Sequence, residues 1–240
     1  MKIVRLGLLL ICLAAGPLAC AQAAIDMNAD SSHYSLQLAN DQVRVYLVTL
    51  KPGERTMVRH DHNFLMVTLQ DCSIFMWPEG SSDIMESRFS RGSIGYYYAG
   101  RAVGIRNGGN AIYRNITIEF LDPKVRNYGY QWTTSGWDYG PTGTNLPVDP
   151  QATFVNRLPL GAATAIDVQL LPNGSLPGQG ENNAQLIVAV TDIDLKSGQG
   201  EIQKSSGDAV WVDGLNKKLT NVGSTTARFA VIVFSPPAAN

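Results

Sequence analysis

The chain has 240 residues, with 19 basic against 20 acidic side chains, and 45% of its residues are hydrophobic. That balance, with no cluster of Lys and Arg, excludes electrostatic capture of nucleic acid or of an acidic membrane as its business. Its three cysteines, Cys12, Cys20 and Cys72, are too few and too scattered for a disulfide framework.

The first 23 residues read as a leader. Lys2 and Arg5 precede the apolar run Leu6 to Leu13, and small residues follow in Ala19-Cys20-Ala21 and Ala21-Gln22-Ala23. This is the layout of a secretory signal peptide over 1–23. The apolar run is short of the roughly 20 residues a spanning helix needs, so no membrane span is expected. Lipidation at Cys20 is the less favoured route, because Pro17 stands where an aliphatic residue belongs. The expected location is periplasmic or secreted. Without the leader, 17 basic residues face 20 acidic ones, and Cys72 has no partner for an internal disulfide.

The rest of the chain reads as strands. Short β-rich runs (Val43–Val48, Phe64–Leu69, Ile74–Trp77, Ile112–Phe120) alternate with Gly, Pro, Asn and Asp, as in a barrel or sandwich. Lys51-Pro52-Gly53-Glu54 is a turn. The faces of the run ending at Phe120 stay open. The second half repeats the plan. Pro172-Asn173-Gly174 matches the turn at Pro52, and Leu186 to Asp192 matches Leu65 to Asp71. Asn107-x-Gly109 is followed 7 positions on by Arg114 and 13 on by Phe120; Asn221-x-Gly223 is followed at the same distances by Arg228 and Phe234. A period near 115–120 is a whole domain, not a solenoid repeat. The expected fold class is therefore all-β, two tandem antiparallel β-barrels over 35–122 and 153–236. Residues 123–152 form a connector carrying Tyr128, Tyr130, Trp132, Trp137 and Tyr139, either packed over the seam or an aromatic platform for a ligand. Arg114 and Arg228, recurring in both copies, are expected to be structural.

The order of turn, His60-Asp61-His62, strand, Gly92 and Asn107 resembles the cupin superfamily, and Gly207-Asp208-Ala209-Val210-Trp211-Val212 is similar to its second motif. The resemblance spans nearly all of the chain after the leader, and it implies two cupin-like barrels of the jelly-roll type. It also implies a metal site of two histidines and a glutamate from the first motif and a histidine from the second. His60 and His62 match the pair, which strand alternation would turn to one face. Met66 and Val103 occupy the other two ligand positions. The second copy has Gly178 to Asn183 in place of the histidines and Lys217 at the last position. A divalent ion (Zn, Fe or Mn) in the first barrel, held by His60 and His62, and none in the second, is one expectation.

The leading one is a small-molecule site in the first barrel, built on His60, His62, Tyr98 and Arg106, with Arg55, Arg59, Tyr96 and Arg101 as further polar candidates. A metal-dependent dioxygenase, isomerase or lyase is an alternative, and a structural or interaction protein with filled barrels is another. Catalytic residues, the ligand's identity and the oligomeric state are left open.

Overall fold

The computed structural model describes residues 30, 32–100, 102–126, 152–178, 183–213 and 218–235. The leader, Arg101, the aromatic part of the connector, Gly180, Asn182 and Lys217 lie outside these residues. The described residues contain no helix, and thus none long and apolar enough to cross a membrane.

Nine strands come from the first half: β1 (Tyr34–Ala39), β2 (Val43–Leu50), β3 (Arg55–Arg59), β4 (Phe64–Thr68), β5 (Cys72–Pro78), β6 (Met85–Phe89), β7 (Ile94–Tyr97), β8 (Ala102–Asn107) and β9 (Tyr113–Phe120). Nine come from the second: β10 (Ala152–Pro159), β11 (Ala163–Leu170), β12 (Ser175–Leu176), β13 (Gln185–Ala189), β14 (Ile193–Ser197), β15 (Gly200–Lys204), β16 (Ala209–Val212), β17 (Leu219–Asn221) and β18 (Ala227–Phe234). Each half folds as two antiparallel sheets. The first half has the orders β1-β2-β9-β4-β7 and β3-β8-β5-β6; the second has β10-β11-β18-β13-β16 and β12-β17-β14-β15. These are two tandem antiparallel jelly-roll barrels.

The duplication holds to the single residue. Leu65 pairs with Ile118 on β4 and β9, and Leu186 pairs with Ile232 on β13 and β18. The turn glycine Gly53 has φ +78°, and Asn173 takes the same left-handed corner with φ +64°, a conformation asparagine tolerates better than most residues. Asn107 donates to the carbonyls of Leu50 and Ala111 at 2.9 and 2.7 Å and accepts from the Gly109 amide. Asn221 does the same with Leu170, Thr225 and Gly223. Each asparagine thus ties a strand end to the loop that follows, so its recurrence is structural.

The two five-stranded sheets pack against each other through one apolar cluster drawn from both halves. Val43, Val45, Leu65, Val67, Ile116 and Ile118 supply one side; Ala163, Ala165, Leu186, Val188, Ala230 and Ile232 supply the other. Phe120 and Phe234, equivalent residues of the two copies, meet edge to face with centroids 6.2 Å apart. The repeated arginines close the seam reciprocally. A Cβ on Gly92 would fall 2.2 Å from Nε of Arg228, and one on Gly207 would fall 2.7 Å from Nη2 of Arg114. Each copy's arginine therefore lies over the other copy's glycine. Arg114 donates to the Ser206 carbonyl at 3.2 Å, while Arg228 makes a two-point pair with buried Asp167 at 2.9 and 3.4 Å.

Because the sheets alternate, the other face of each points into its own barrel. On β18 that inward row is Ala227, Phe229, Val231 and Val233, part of a continuous apolar cluster with Ile166, Val168, Leu170, Ile187 and Leu195. On β9 it is Tyr113, Asn115, Thr117 and Glu119, all buried.

Candidate site in the first barrel

The polar row on β9 is internally satisfied for most of its length. Asn115 donates to the Tyr113 hydroxyl at 2.6 Å, and the Thr117 hydroxyl donates to Oδ1 of Asn115 at 2.9 Å. Burial pushes the phenols of Tyr113 and Tyr97 well above their ordinary range, so both stay neutral at any ordinary pH. At the far end of the row, Oε1 of Glu119 lies 3.3 Å from Nδ1 of His60, and its Oε2 lies 3.9 Å from the half-exposed guanidinium of Arg44.

His60 sits just past the end of β3. Its carbonyl accepts from the Gly100 amide at 2.8 Å, which pins the backbone. Its ring stacks on Phe64 at 3.7 Å, and Phe64 stacks on Tyr97 at 5.0 Å. These three rings, with Met66, Met76, Val103, Asn115 and Thr117, line a cavity of about 30 Å³ inside the barrel. A space of that order holds a water or a single ion. Drug-sized ligands occupy pockets of roughly 300–1,000 Å³.

Several sequence expectations are corrected here. His60 and His62 do not share a strand face: β3 ends at Arg59, the chain bends through Asp61 and His62, and β4 starts only at Phe64. The two-residue alternation does not operate in a bend, and His62, half-buried, is not among the cavity's lining residues. Tyr98 is set against Tyr96 edge to face at 5.3 Å and packs on the seam cluster, while its neighbour Tyr97 faces the cavity, as Tyr34 does. Arg106 is exposed, with its guanidinium 4.4 Å from the Phe75 ring centroid, while its neighbour Ile105 points inward. Arg59 pairs with Glu79 at 2.7 Å on the surface. Tyr96 is buried in the seam, where its hydroxyl donates to the Val125 carbonyl. Met66 and Val103 do line the cavity beside His60.

Two residues absent from the sequence expectations are placed by the fold. Glu119 is the inward carboxylate. The signal for it lay in the duplication: at the offset of 114 that relates Asn107 to Asn221, Asn115, Thr117 and Glu119 stand against Phe229, Val231 and Val233. His33 belongs to a separate cluster at the base of β1, where Asp30 accepts from Thr56 at 2.7 Å and pairs with His33 at 2.8 Å.

A larger open cleft of about 380 Å³ lies between the β5–β6 hairpin and the loop after β8, lined by Gln70, Cys72, Arg88 and Asn107 among others. Asn107 is committed to the loop, and burial raises the Cys72 thiol to about 11. A protonated thiol is a poor nucleophile, and the cleft does not include the His60–Glu119 pair.

No family model and no curated relative matches the chain. Solved structures do. AerE from Microcystis aeruginosa superposes with a TM-score of 0.62 at 11% identity, covering 85% of this chain and 93% of its own. Salicylate 1,2-dioxygenase from Pseudaminobacter salicylatoxidans gives 0.55 at 12%, over 83% and 75%. A cupin 2 conserved barrel domain protein from Leptotrichia buccalis gives 0.51 at 10%, over 84% and 88%. The fold is that of a bicupin. Identities this low carry the fold and no activity. The chain's own residues do not fit the four-ligand divalent site that the motif implies. His60 alone of that set lines the cavity, Met66 and Val103 hold two of the positions, and among the described residues no three of His, Cys, Asp and Glu gather within reach of one ion.

Proposed function

We propose that this bicupin is an exported binding protein that holds a small occupant in its first barrel, against His60 with Glu119 behind the imidazole, while the second barrel is a structural partner. The observation that supports this most is the contrast between the inward rows. The first barrel keeps a row of four buried polar side chains, closed by hydrogen bonds and with Asn115 and Thr117 on the cavity wall, although the second barrel builds the same fold on an apolar row, which burial favours without any such bonding. The leader sequence supports export. The cavity's size restricts the occupant to an ion or a molecule of a few atoms. The enzymatic alternative, which a dioxygenase neighbour brings to mind, has among the described residues only the His60–Glu119 pair to support it.

The test is a thermal-shift and calorimetric screen of small neutral, anionic and cationic solutes and of metal ions against the full chain. A stabilising solute lost in His60→Ala and retained in Val231→Thr, a second-barrel change, supports the reading. Stabilisation indifferent to His60, or none by any solute, overturns it.

A further inference from the structure

We infer that the first barrel is built for a soft monovalent cation, Cu(I), held by the imidazole of His60 and the thioethers of Met66 and Met76. The inference rests on the proposal above that the first barrel holds an occupant.

Three observations carry it. First, both methionines line the same cavity of about 30 Å³ as His60, from strands on opposite sheets, β4 and β5. An imidazole and two thioethers around an ion-sized space form a soft donor set, and thioethers select Cu(I) over hard divalent ions.

Second, Met66 is buried yet belongs to none of the barrel's apolar clusters. Its cross-strand partner is Thr117, and the second copy has Ile187 at its place, paired with Val231 and inside the apolar cluster. The flexible sulfur side chain thus stands across from a hydroxyl in the first copy, and a branched hydrocarbon stands across from another hydrocarbon in the second.

Third, the carboxylate is arranged as an outer partner. Nδ1 of His60 is turned to Glu119, so Nε2 is the nitrogen left for an occupant. Metal-bound histidines commonly donate their other N–H to a carboxylate in this way, which fixes the ring and raises its basicity.

The experiment uses the full chain with Cys12, Cys20 and Cys72 changed to serine, so that no thiol competes. Cu(I) is offered anaerobically against a chromophoric Cu(I) chelator. One equivalent is expected to be withdrawn from the chelator, with Zn(II) bound far more weakly. Met66→Leu and Met76→Leu preserve side-chain volume and hence the fold. Each should weaken Cu(I) by more than the roughly 10–100-fold that loss of an outer partner costs, which is also the loss expected for Glu119→Gln. Met85→Leu, at an exposed site outside the cavity, should change nothing. Cu(I) affinity unaltered by either cavity methionine, no withdrawal of Cu(I), or Zn(II) bound as tightly as Cu(I) overturns the inference. If Cu(I) fails while another solute still depends on His60, the binding reading survives and only the copper assignment falls. If no solute of any kind depends on His60, both fall.

Discussion

The inward rows of β9 and β18 are the same strand, written twice with different purposes. Tyr113, Asn115, Thr117 and Glu119 stand where Ala227, Phe229, Val231 and Val233 stand, in the same register against the same neighbours. The outward rows meanwhile stay apolar in both copies, because each faces the other across the seam. The barrel does not demand a polar interior, and it tolerates one only where hydrogen bonds close among the members. Where a fold occurs twice in one chain, the positions that differ in polarity at equal burial are the ones to examine for function.

The largest effect expected from breaking this comparison is in the filled barrel. Phe229→Ala should cost about 3–5 kcal/mol in urea denaturation, as large aromatic deletions in a core do. Its counterpart Asn115→Ala should cost less, about 1–3 kcal/mol, chiefly by leaving the Tyr113 and Thr117 hydroxyls short of a partner. Equal losses would mean that the two interiors are packed alike.

The next test is at the seam. Gly92→Ala and Gly207→Ala place a methyl group on the opposing arginine and at φ +80° and +95°, where an L-residue pays roughly 1–2 kcal/mol for the backbone alone. Gly53→Ala has a similar φ of +78° with nothing within 4 Å. It should show only the backbone part, so both seam variants should have the lower urea midpoints.

Two buried aspartates should separate the halves by acid titration. Burial would raise the Asp30 carboxyl, but hydrogen bonds from Ser32, Thr56 and His33 outweigh it and hold the group below its usual 3.8. Its stabilising contribution is complete above 3.8 and is lost as pH falls through the lower folded value. Asp167 is the opposite case: burial outweighs Arg228 and raises it. Its ionisation therefore costs the folded state stability as pH rises from 3.8 through the raised value. Asp30→Asn should flatten the acid limb of the stability profile, and Asp167→Asn should remove the loss above it. Urea midpoints at a series of pH values would show whether the signs differ.

The smallest effect concerns Arg106. Arg106→Ala removes one exposed cation–π contact, worth about 0.5–1 kcal/mol, and should leave occupancy of the first barrel unchanged in calorimetry. A loss of binding would return Arg106 to the site.

Much of the fold was legible in the sequence because turn chemistry is local. Gly53 and Asn173, and Asn107 and Asn221, have the same work to do wherever their loops recur. The arginines were legible as structural for the same reason, though not that each serves the opposite copy, since that is a property of the assembled seam. The site was less legible. Alternation is reliable only inside a strand, so His62 was misplaced by a bend, and Tyr98 and Arg106 were each one position from the residues that face inward, Tyr97 and Ile105. Glu119 was hidden because every residue of β9 is buried from Asn115 to Phe120. A strand covered on both faces shows no simple division into wet and dry sides.

The meeting of Phe120 with Phe234, and of each arginine with the other copy's glycine, has a consequence for ancestry. A residue that touches its own equivalent across an axis is the mark of an isologous dimer. The seam has the form that two identical one-barrel subunits would make, later joined end to end in a single gene. As a dimer, such a protein could not alter one interior without altering both. Joined, it was free to fill one interior with hydrocarbon while the other kept a polar row.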